Sequence, residues 1–568
     1  MTNAEIAQML NEFADLMELR GDVFKRNAYR RAAQGVEALD RDISLLIEEG
    51  RLEDVPGVGK SIAQKIKEMA ETGGSKDLDE LRRSFPPGLA EVMRVPEVGP
   101  RTAVRLYREL GVTNLDELKR AAEGHRIREL AGFGERSEEN ILHGVGLVQG
   151  EGRRMLLSDA LRKGEAIAEH VRSCGITLVS VAGSMRRMRE TVGDVDVLVG
   201  TDRPDEAMKA LISFPQTVDT IVRGDRKTSV RLSDGTQADM RAVPESSYGA
   251  ALQYFTGSKE HNVKLRRIAM RKGLRLNEYG LFDQDGNDLV AGLPEEEIYR
   301  LLDLQPVPPE LREDRGEIEA AAEGRLPRLV EMSDIRGDLH VHTDMSDGHG
   351  TMREMAMAAK RRGYEYVGLT DHSASLHIAH GLSVEELLDS VEQARRLTEE
   401  LGFPVLRGAE MDILEDGSLD YPNEVLDRLD YVIGSVHSRF KMNADEMTER
   451  VIRAIRSDRL DILGHPTGRL LGRREGYAID IDAVMEEARR HRVAMEVNGF
   501  PDRLDLNDLN CRKAKDRGVM IVLDTDSHRE ANLAYMRLAV ATARRGWLGP
   551  ENVLNCLPHH LLMASLDR

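Results

Sequence analysis

AGSMRRMRETVGDVDVLVG, residues 182–200, decides how this chain is read. Side chains alternate faces along a strand, so Asp194 and Asp196 project together while Val195, Val197 and Val199 point into the protein. Paired carboxylates on one strand edge suit Mg²⁺, a hard cation usually held by one or two carboxylates together with substrate phosphates. The Gly183–Ser184 turn before them offers backbone N–H and hydroxyl donors to those phosphates, with Arg186 and Arg187 beside it as charged partners. A second apolar strand, TQADMRAV at 236–243, brings a third carboxylate, Asp239. Asp-x-Asp alone is common on solvated strand ends. Together with the Gly-Ser turn, the basic pair and the third aspartate, it predicts a nucleotidyltransferase centre in which two metals about 3.5–4 Å apart serve in-line displacement at phosphorus.

The rest of the chain sets the context. A length of 568 residues is too long for one core and predicts three or more folding units. Hydrophobic residues at 41% and charged residues at 32% fit soluble globular protein. No apolar run reaches the length of a membrane span, and the opening MTNAEIAQMLNEF is amphipathic rather than a signal peptide, so a cytoplasmic protein is expected. Cys174, Cys511 and Cys556 are odd in number and widely spaced, which fits reduced thiols. The net charge of −19 repels a polyanion at long range, so any nucleic-acid binding must come from local basic patches and backbone N–H groups.

Residues 1 to about 148 read as amphipathic helices interrupted by a recurring glycine turn: VPGVGKSIAQKI at 55–66, VPEVGPRTAVRLY at 95–107 and LAGFGERSEENIL at 130–142. Such helix-hairpin-helix turns, with Gly57, Gly59 and Gly99 at their tips, expose successive N–H groups at a helix N-terminus and hold a phosphate without reading sequence. One copy is merely a connecting turn; three favour binding to a DNA backbone, although Glu97 replaces the first glycine in the second copy. From 149 to 243 apolar strands alternate with helical text, and 244 to about 305 reads as a smaller mixed domain. The charged, proline-punctuated QPVPPELREDRGEIEAAAEGRLPR then reads as a linker.

After the linker, strand, glycine turn and helix alternate to the end, as in a barrel of βα units. GDLHVHTDMSDG at 337–348 puts His340 and His342 on one strand face. Further acidic and imidazole residues follow at strand ends: Asp347, His372, Glu410, His437, His465, Asp526 and His528. An isolated histidine is usually a surface or satisfied core residue. Here nearly every apolar strand ends in an Asp, Glu or His, and active sites of βα barrels lie at that face. The mixed nitrogen and oxygen donors predict two or three transition-metal ions, Zn²⁺ or Mn²⁺. His377 and His380 read as loop histidines, and Lys441 and Arg469 as candidates for neutralising a DNA phosphate beside the cluster.

The aspartate centre, with YFTGS at 254–258, resembles the bacterial and archaeal members of DNA polymerase family X, the polymerase beta type, and the likeness extends over residues 1 to about 305. The resemblance implies a polymerase palm using Mg²⁺ or Mn²⁺ at Asp194, Asp196 and Asp239. Ser184, Arg187 and Gly193 would then contact a deoxynucleoside triphosphate, Tyr254, Phe255 and Gly257 pack on its sugar, and Asn262 and Arg266 touch the nascent pair and template. Met188 stands where many relatives have glycine, and Gln237 where the vertebrate enzyme has arginine. NAYRRAA at 27–33 resembles the family's 5′-phosphate-binding lyase domain, which implies Lys25, Tyr29 and Arg30 as phosphate contacts and Lys65 as the Schiff-base lysine, although Ser61 replaces a basic residue. The histidine-rich text over 336–568 resembles the polymerase and histidinol phosphatase (PHP) domain, which implies that all nine side chains named above ligate metal.

The resemblances imply a multidomain fold: a lyase-like helical domain (1–85), a helix-hairpin-helix domain (86–148), an α/β palm (149–243), a small thumb (244–310), a linker (311–335) and a distorted TIM-like βα barrel (336–568). The implied function is filling of short gaps during DNA repair on gapped or primer-template DNA, with a 3′–5′ exonuclease or phosphoesterase in the barrel and a monomeric chain. Two alternatives stand beside it. The barrel acts on small phosphomonoesters, or the chain is a repair scaffold with degenerate sites, which would require missing ligands.

Overall fold

The computed structural model describes residues 3–566, apart from 21, 38–42, 49, 73, 87, 94, 96–97, 131 and 150–153. Two compact units divide the chain, Met1–Arg153 and Arg154–Arg568.

The first unit is helical throughout its described residues. Its opening amphipathic text forms the helix Asn3–Arg20, which buries Ile6, Leu10, Phe13 and Met17. Phe13 stacks on Tyr29 of the next helix, Val23–Glu37, with ring centroids 4.8 Å apart. The first hairpin requires its glycine twice over. Gly57 has φ +82°, and a Cβ there would meet the backbone of Arg31 at 2.7 Å. Gly59 precedes the helix Lys60–Thr72, and Gly99 caps Pro100–Leu110, whose first residue is proline. Glu97 lies outside the described residues.

The second unit opens with the palm. Its five-stranded sheet runs Leu178–Val181, Val195–Gly200, Gln237–Val243, Lys227–Leu232, Thr217–Arg223 across its width. The pair Val195–Gly200 and Gln237–Val243 is parallel, with Asp196 opposite Asp239 in register. The helices Leu157–Ser173 and Pro204–Ile212 cover the sheet through Leu161, Ile167, Val171, Ala207 and Leu211. The thumb follows with helices Tyr248–Thr256 and Lys259–Arg271 and the hairpin Arg275–Asn277/Gly280–Phe282.

The stretch expected to be a linker is folded. It forms the helix Glu317–Ala322, and Leu311, Ala320, Ala321 and Leu329 join the thumb's apolar cluster. The Glu317 carboxylate, fully buried, meets His261 Nδ1 of the thumb at 2.6 Å. Charge and proline content read as a linker because composition does not register a partner 56 residues away.

The C-terminal part is a parallel sheet of seven strands, among the described residues, in strict chain order from Gly337–Val341 to Ile521–Asp524. The last strand returns to the first. Ser527 N donates to His340 O (3.2 Å) and His342 N donates to Ser527 O (2.8 Å), so the ring is nearly closed. Palm and barrel share apolar packing, since Leu504 and Leu538 of the barrel sit in the palm's cluster. Among the described residues no helix is long and apolar enough to cross a membrane.

Candidate active sites

The palm brings carboxylate oxygens of Asp194, Asp196 and Asp239 within 4.8 Å of one another. Strand alternation does this as expected, with Val195 and Val197 buried on the opposite side. Burial first, then the charges of Asp194 and Asp239, push Asp196 up to about 7. Asp194 is raised by burial and by Asp239. Three carboxylates held this close repel one another unless a cation sits among them, so the donor set fits hard divalent metal.

Gly183 begins a short helical turn, Gly183–Arg186, that carries Ser184. It has φ +57°, and a Cβ there would stand 2.0 Å from Asp196 Oδ2. Only a glycine lets this turn lie against the carboxylate. Gly193 is open on its side-chain face, with Arg154 Nη1 at 3.9 Å from a would-be Cβ. Arg187, expected at the triphosphate, is engaged with the thumb: Nη1 donates to Thr256 O (2.6 Å) and Nε to Glu313 (3.1 Å). Gly257 adjoins it, with φ +72° and Arg187 Nη1 at 3.1 Å from a would-be Cβ. Tyr254 and Phe255 meet edge to face, and Arg241 stacks on Phe255. Asn262 is buried; it donates to Tyr254 O (2.7 Å) and accepts from Gln253 (2.8 Å), so it ties two thumb helices together. Arg266 is half-buried on Lys259–Arg271. Gln237 donates to Asp239 Oδ1 at 2.8 Å.

In the helical unit Lys65 is ion-paired with Asp77 and lies over the Phe13 ring, 5.5 Å from its centroid. Burial lowers its pKa, with Lys25 adding to the effect and Glu68 opposing it. Lys25, Tyr29 and Ser61 line the same cleft. Tyr29 is buried, whereas Arg30, Gly57, Gly59 and Gly99 are exposed.

All nine side chains expected at the barrel rim come together. His342, Asp347, His372 and His528 form one group, His340, His342 and Asp526 a second, and His372, Glu410 and His437 a third. His465 joins through Nε2, 2.9 Å from Glu410 Oε1. Burial disfavours the Glu410 carboxylate, but His437, His340 and His372 outweigh it and hold the group well below the usual carboxylate range. His342 is pushed down to about 4 by burial and then by His528 and His372. His340 Nε2, both ring nitrogens of His342, and Nδ1 of His372, His437 and His465 are buried without a hydrogen-bond partner among the described residues. Orphaned imidazole nitrogens facing carboxylates are what a metal cluster needs, so the residues fit transition-metal ions.

Three supporting residues escaped the sequence reading. Glu496 Oε1 meets His340 Nδ1 at 2.7 Å, Asn498 donates to Asp526 Oδ2 at 3.1 Å, and Asp412 Oδ1 accepts from His437 N at 3.3 Å. Glu496 and Asn498 alternate along Ala494–Asn498 as His340 and His342 do, a signal that was available. Arg469, expected beside a DNA phosphate, is instead bonded to Glu190 of the palm at 2.7 Å and to Leu504 O. Lys441, His377 and His380 are exposed.

Four stretches of the chain match known protein families. Residues 1–75 match a helix-hairpin-helix domain, 89–144 a SAM-like helix-hairpin-helix tandem, 251–313 the DNA polymerase beta thumb and 338–499 the PHP domain. The chain is 40% identical to the DNA polymerase/3′–5′ exonuclease PolX of Bacillus subtilis over 573 residues, covering all of both chains. A probable phosphatase of Thermoanaerobacter sp. is 29% identical over 38% of this chain and 89% of its own length. A probable phosphatase of Shewanella oneidensis is 30% identical over 40% and 89%.

Proposed function

Because the chain belongs to the family X DNA polymerases with helix-hairpin-helix domains, a polymerase beta thumb and a C-terminal PHP domain, we propose that it fills short gaps during DNA repair and trims 3′ ends in the barrel. It is a DNA polymerase and 3′–5′ exonuclease that binds DNA and depends on divalent metal. Asp194, Asp196 and Asp239 hold Mg²⁺ or Mn²⁺, and the nine barrel side chains hold two or three Zn²⁺ or Mn²⁺ ions. Bound divalent ions supply positive charge that polarises a phosphoryl group and acidifies the attacking hydroxyl or water.

The chain's own residues do the rest. The N–H groups of Gly183, Ser184 and Met185 and the Ser184 hydroxyl hold the triphosphate of a deoxynucleotide beside the carboxylates. Arg187 serves that phosphate after exchanging Glu313 for it. Tyr254, Phe255 and Gly257 wall the sugar. The hairpins hold the DNA backbone through N–H groups, which answers how a chain of net charge −19 binds a polyanion. Lys65, set over the Phe13 ring with its pKa lowered by burial, serves as the amine nucleophile of a 5′-deoxyribose phosphate lyase step. A monomeric, cytoplasmic enzyme completes the reading.

The observation that carries it is the pair of distinct metal-binding constellations, three aspartates in the palm and nine ligands at the barrel rim. The test uses a 5′-labelled gapped primer-template, with and without nucleotides. Asp194→Ala/Asp196→Ala should abolish extension and leave shortening, and His340→Ala/His342→Ala should do the reverse. Shortening that survives the histidine variant overturns the assignment of the nuclease to the barrel. The relatives named as probable phosphatases favour a second reading, in which the barrel cleaves small phosphomonoesters. Rapid cleavage of p-nitrophenyl phosphate without primer shortening would favour it.

A further inference from the structure

The loop after Ala494–Asn498 reaches two places at once. Arg503 Nε lies 3.3 Å from Asp526 Oδ2 at the edge of the barrel cluster, and the next residue, Leu504, is buried in the apolar cluster of the palm. Leu504 has φ +43°, a left-handed conformation that a bulky side chain adopts only where the surroundings impose it. Arg469 Nε donates to Arg503 O at 3.0 Å and its Nη2 to Leu504 O, while the same guanidinium bonds Glu190 of the palm. Leu471 N donates to Asp502 O at 2.6 Å.

Arg503 is not needed to hold Asp526, whose Oδ2 already accepts from Asn498 at 3.1 Å. The other arginines nearby are committed: Arg469 to Glu190 and two carbonyls, Arg474 to Gly468 O and the Phe440 ring. Arg503 leaves Nη1 and Nη2 without a hydrogen bond among the described residues, and its side chain is 23% exposed. A guanidinium beside a cluster built to hold several cations is stable when an anion stands between them. A planar fork with two free nitrogens matches a phosphate bidentately.

We propose that Arg503 is a substrate-contacting residue of the barrel, clamping the terminal phosphodiester of a DNA strand, and that the palm holds it in place through Leu504 and the Arg469–Glu190 pair. The proposal rests on the phosphoesterase reading of the barrel. It makes the polymerase palm part of the structure of the nuclease site, so the two activities are joined by a strained loop rather than by a tether.

The test uses the full-length protein with Mn²⁺ in Arg503→Gln, Arg503→Lys and Glu190→Gln forms. Primer shortening is read as kcat and KM, affinity for thymidine 5′-monophosphate by calorimetry, metal content by mass spectrometry, and primer extension in Mg²⁺. Arg503→Gln should lose about 10- to 100-fold in kcat/KM and bind the nucleotide at least about 10-fold more weakly, with metal content and extension unchanged. Arg503→Lys should recover part of both, and Glu190→Gln should show a smaller loss of the same kind. Wild-type nucleotide affinity in Arg503→Gln overturns the proposal, as does metal lost in step with activity, which would make Arg503 a prop for Asp526. A wild-type protein that fails to shorten primers sinks the nuclease reading instead, and the nucleotide affinities still decide the clamp.

Discussion

Glu496 Oε1 sits 2.7 Å from Nδ1 of His340, and both side chains are wholly buried. That contact directs the His340 Nε2 lone pair toward Glu410 and Asp526, at 3.5 and 3.8 Å, and makes the imidazole a better ligand. Glu496→Gln keeps the shape and removes the charge. Metal affinity of the barrel and primer shortening should each fall by about 10–100-fold, with primer extension unaffected. Metal titration of the variant checks this; unchanged affinity would leave Glu496 a packing residue.

Gly183→Ala should silence the polymerase alone. A Cβ at Gly183 would lie 2.0 Å from Asp196 Oδ2, and the residue's φ of +57° already disfavours alanine. Either the turn or the carboxylate must move by about an ångström, a displacement worth about 100-fold in rate at a preorganised centre. Extension kinetics read the loss, and primer shortening by the same preparation serves as the control.

The catalytic frame was legible because both sites use strand periodicity. Asp194 and Asp196 share a face across Val195, and Asp239 lies opposite Asp196 on the next parallel strand. The barrel ligands stood at strand ends, where a βα fold gathers them. What escaped was pairing between distant segments. Glu317 reads as one acid in a charged stretch until His261 is seen against it, and Arg187 reads as a triphosphate contact until Glu313 is seen on its Nε. Arg503 lies in an irregular loop, where no period marks the direction of a side chain.

Removing a palm aspartate should stabilise the metal-free protein in a pH-dependent way. Asp196 is pushed up to about 7, above its ordinary 3.8, so the folded metal-free chain holds a proton there that the unfolded chain releases. The stability this group contributes is therefore full below about pH 4 and lost as pH rises toward 7. Asp196→Asn carries no such loss. In EDTA its advantage in unfolding free energy should be near zero at pH 4, grow to at most about 4 kcal/mol by pH 7, and stay level above, from about 1.4 kcal/mol per pH unit. A pH-independent difference in melting temperature would contradict the assigned ionisation.

Glu295 should be the most sensitive point of the palm–thumb junction. Its carboxylate takes Arg186 Nη1 at 3.0 Å from the palm turn and Arg312 Nη1 at 2.9 Å from the end of the thumb, with Glu295 and Arg312 almost fully buried. Burial opposes its charge, but Arg312 and Arg186 outweigh that and bring the carboxyl down to about 2. A depressed carboxylate contributes stability that is present above its ordinary value near 4.5 and disappears as pH falls toward 2. Glu295→Ala leaves two guanidinium groups facing each other without an anion, which should cost about 3–5 kcal/mol at pH 7. Because Arg186 ends the turn that carries Ser184, primer extension should fall as well. Glu295→Ala with Arg312→Met, which removes one of the stranded cations, should recover part of the stability. Urea unfolding of the single and double variants at pH 7 decides it: equal losses in both would mean that the pair contributes by packing and not by charge.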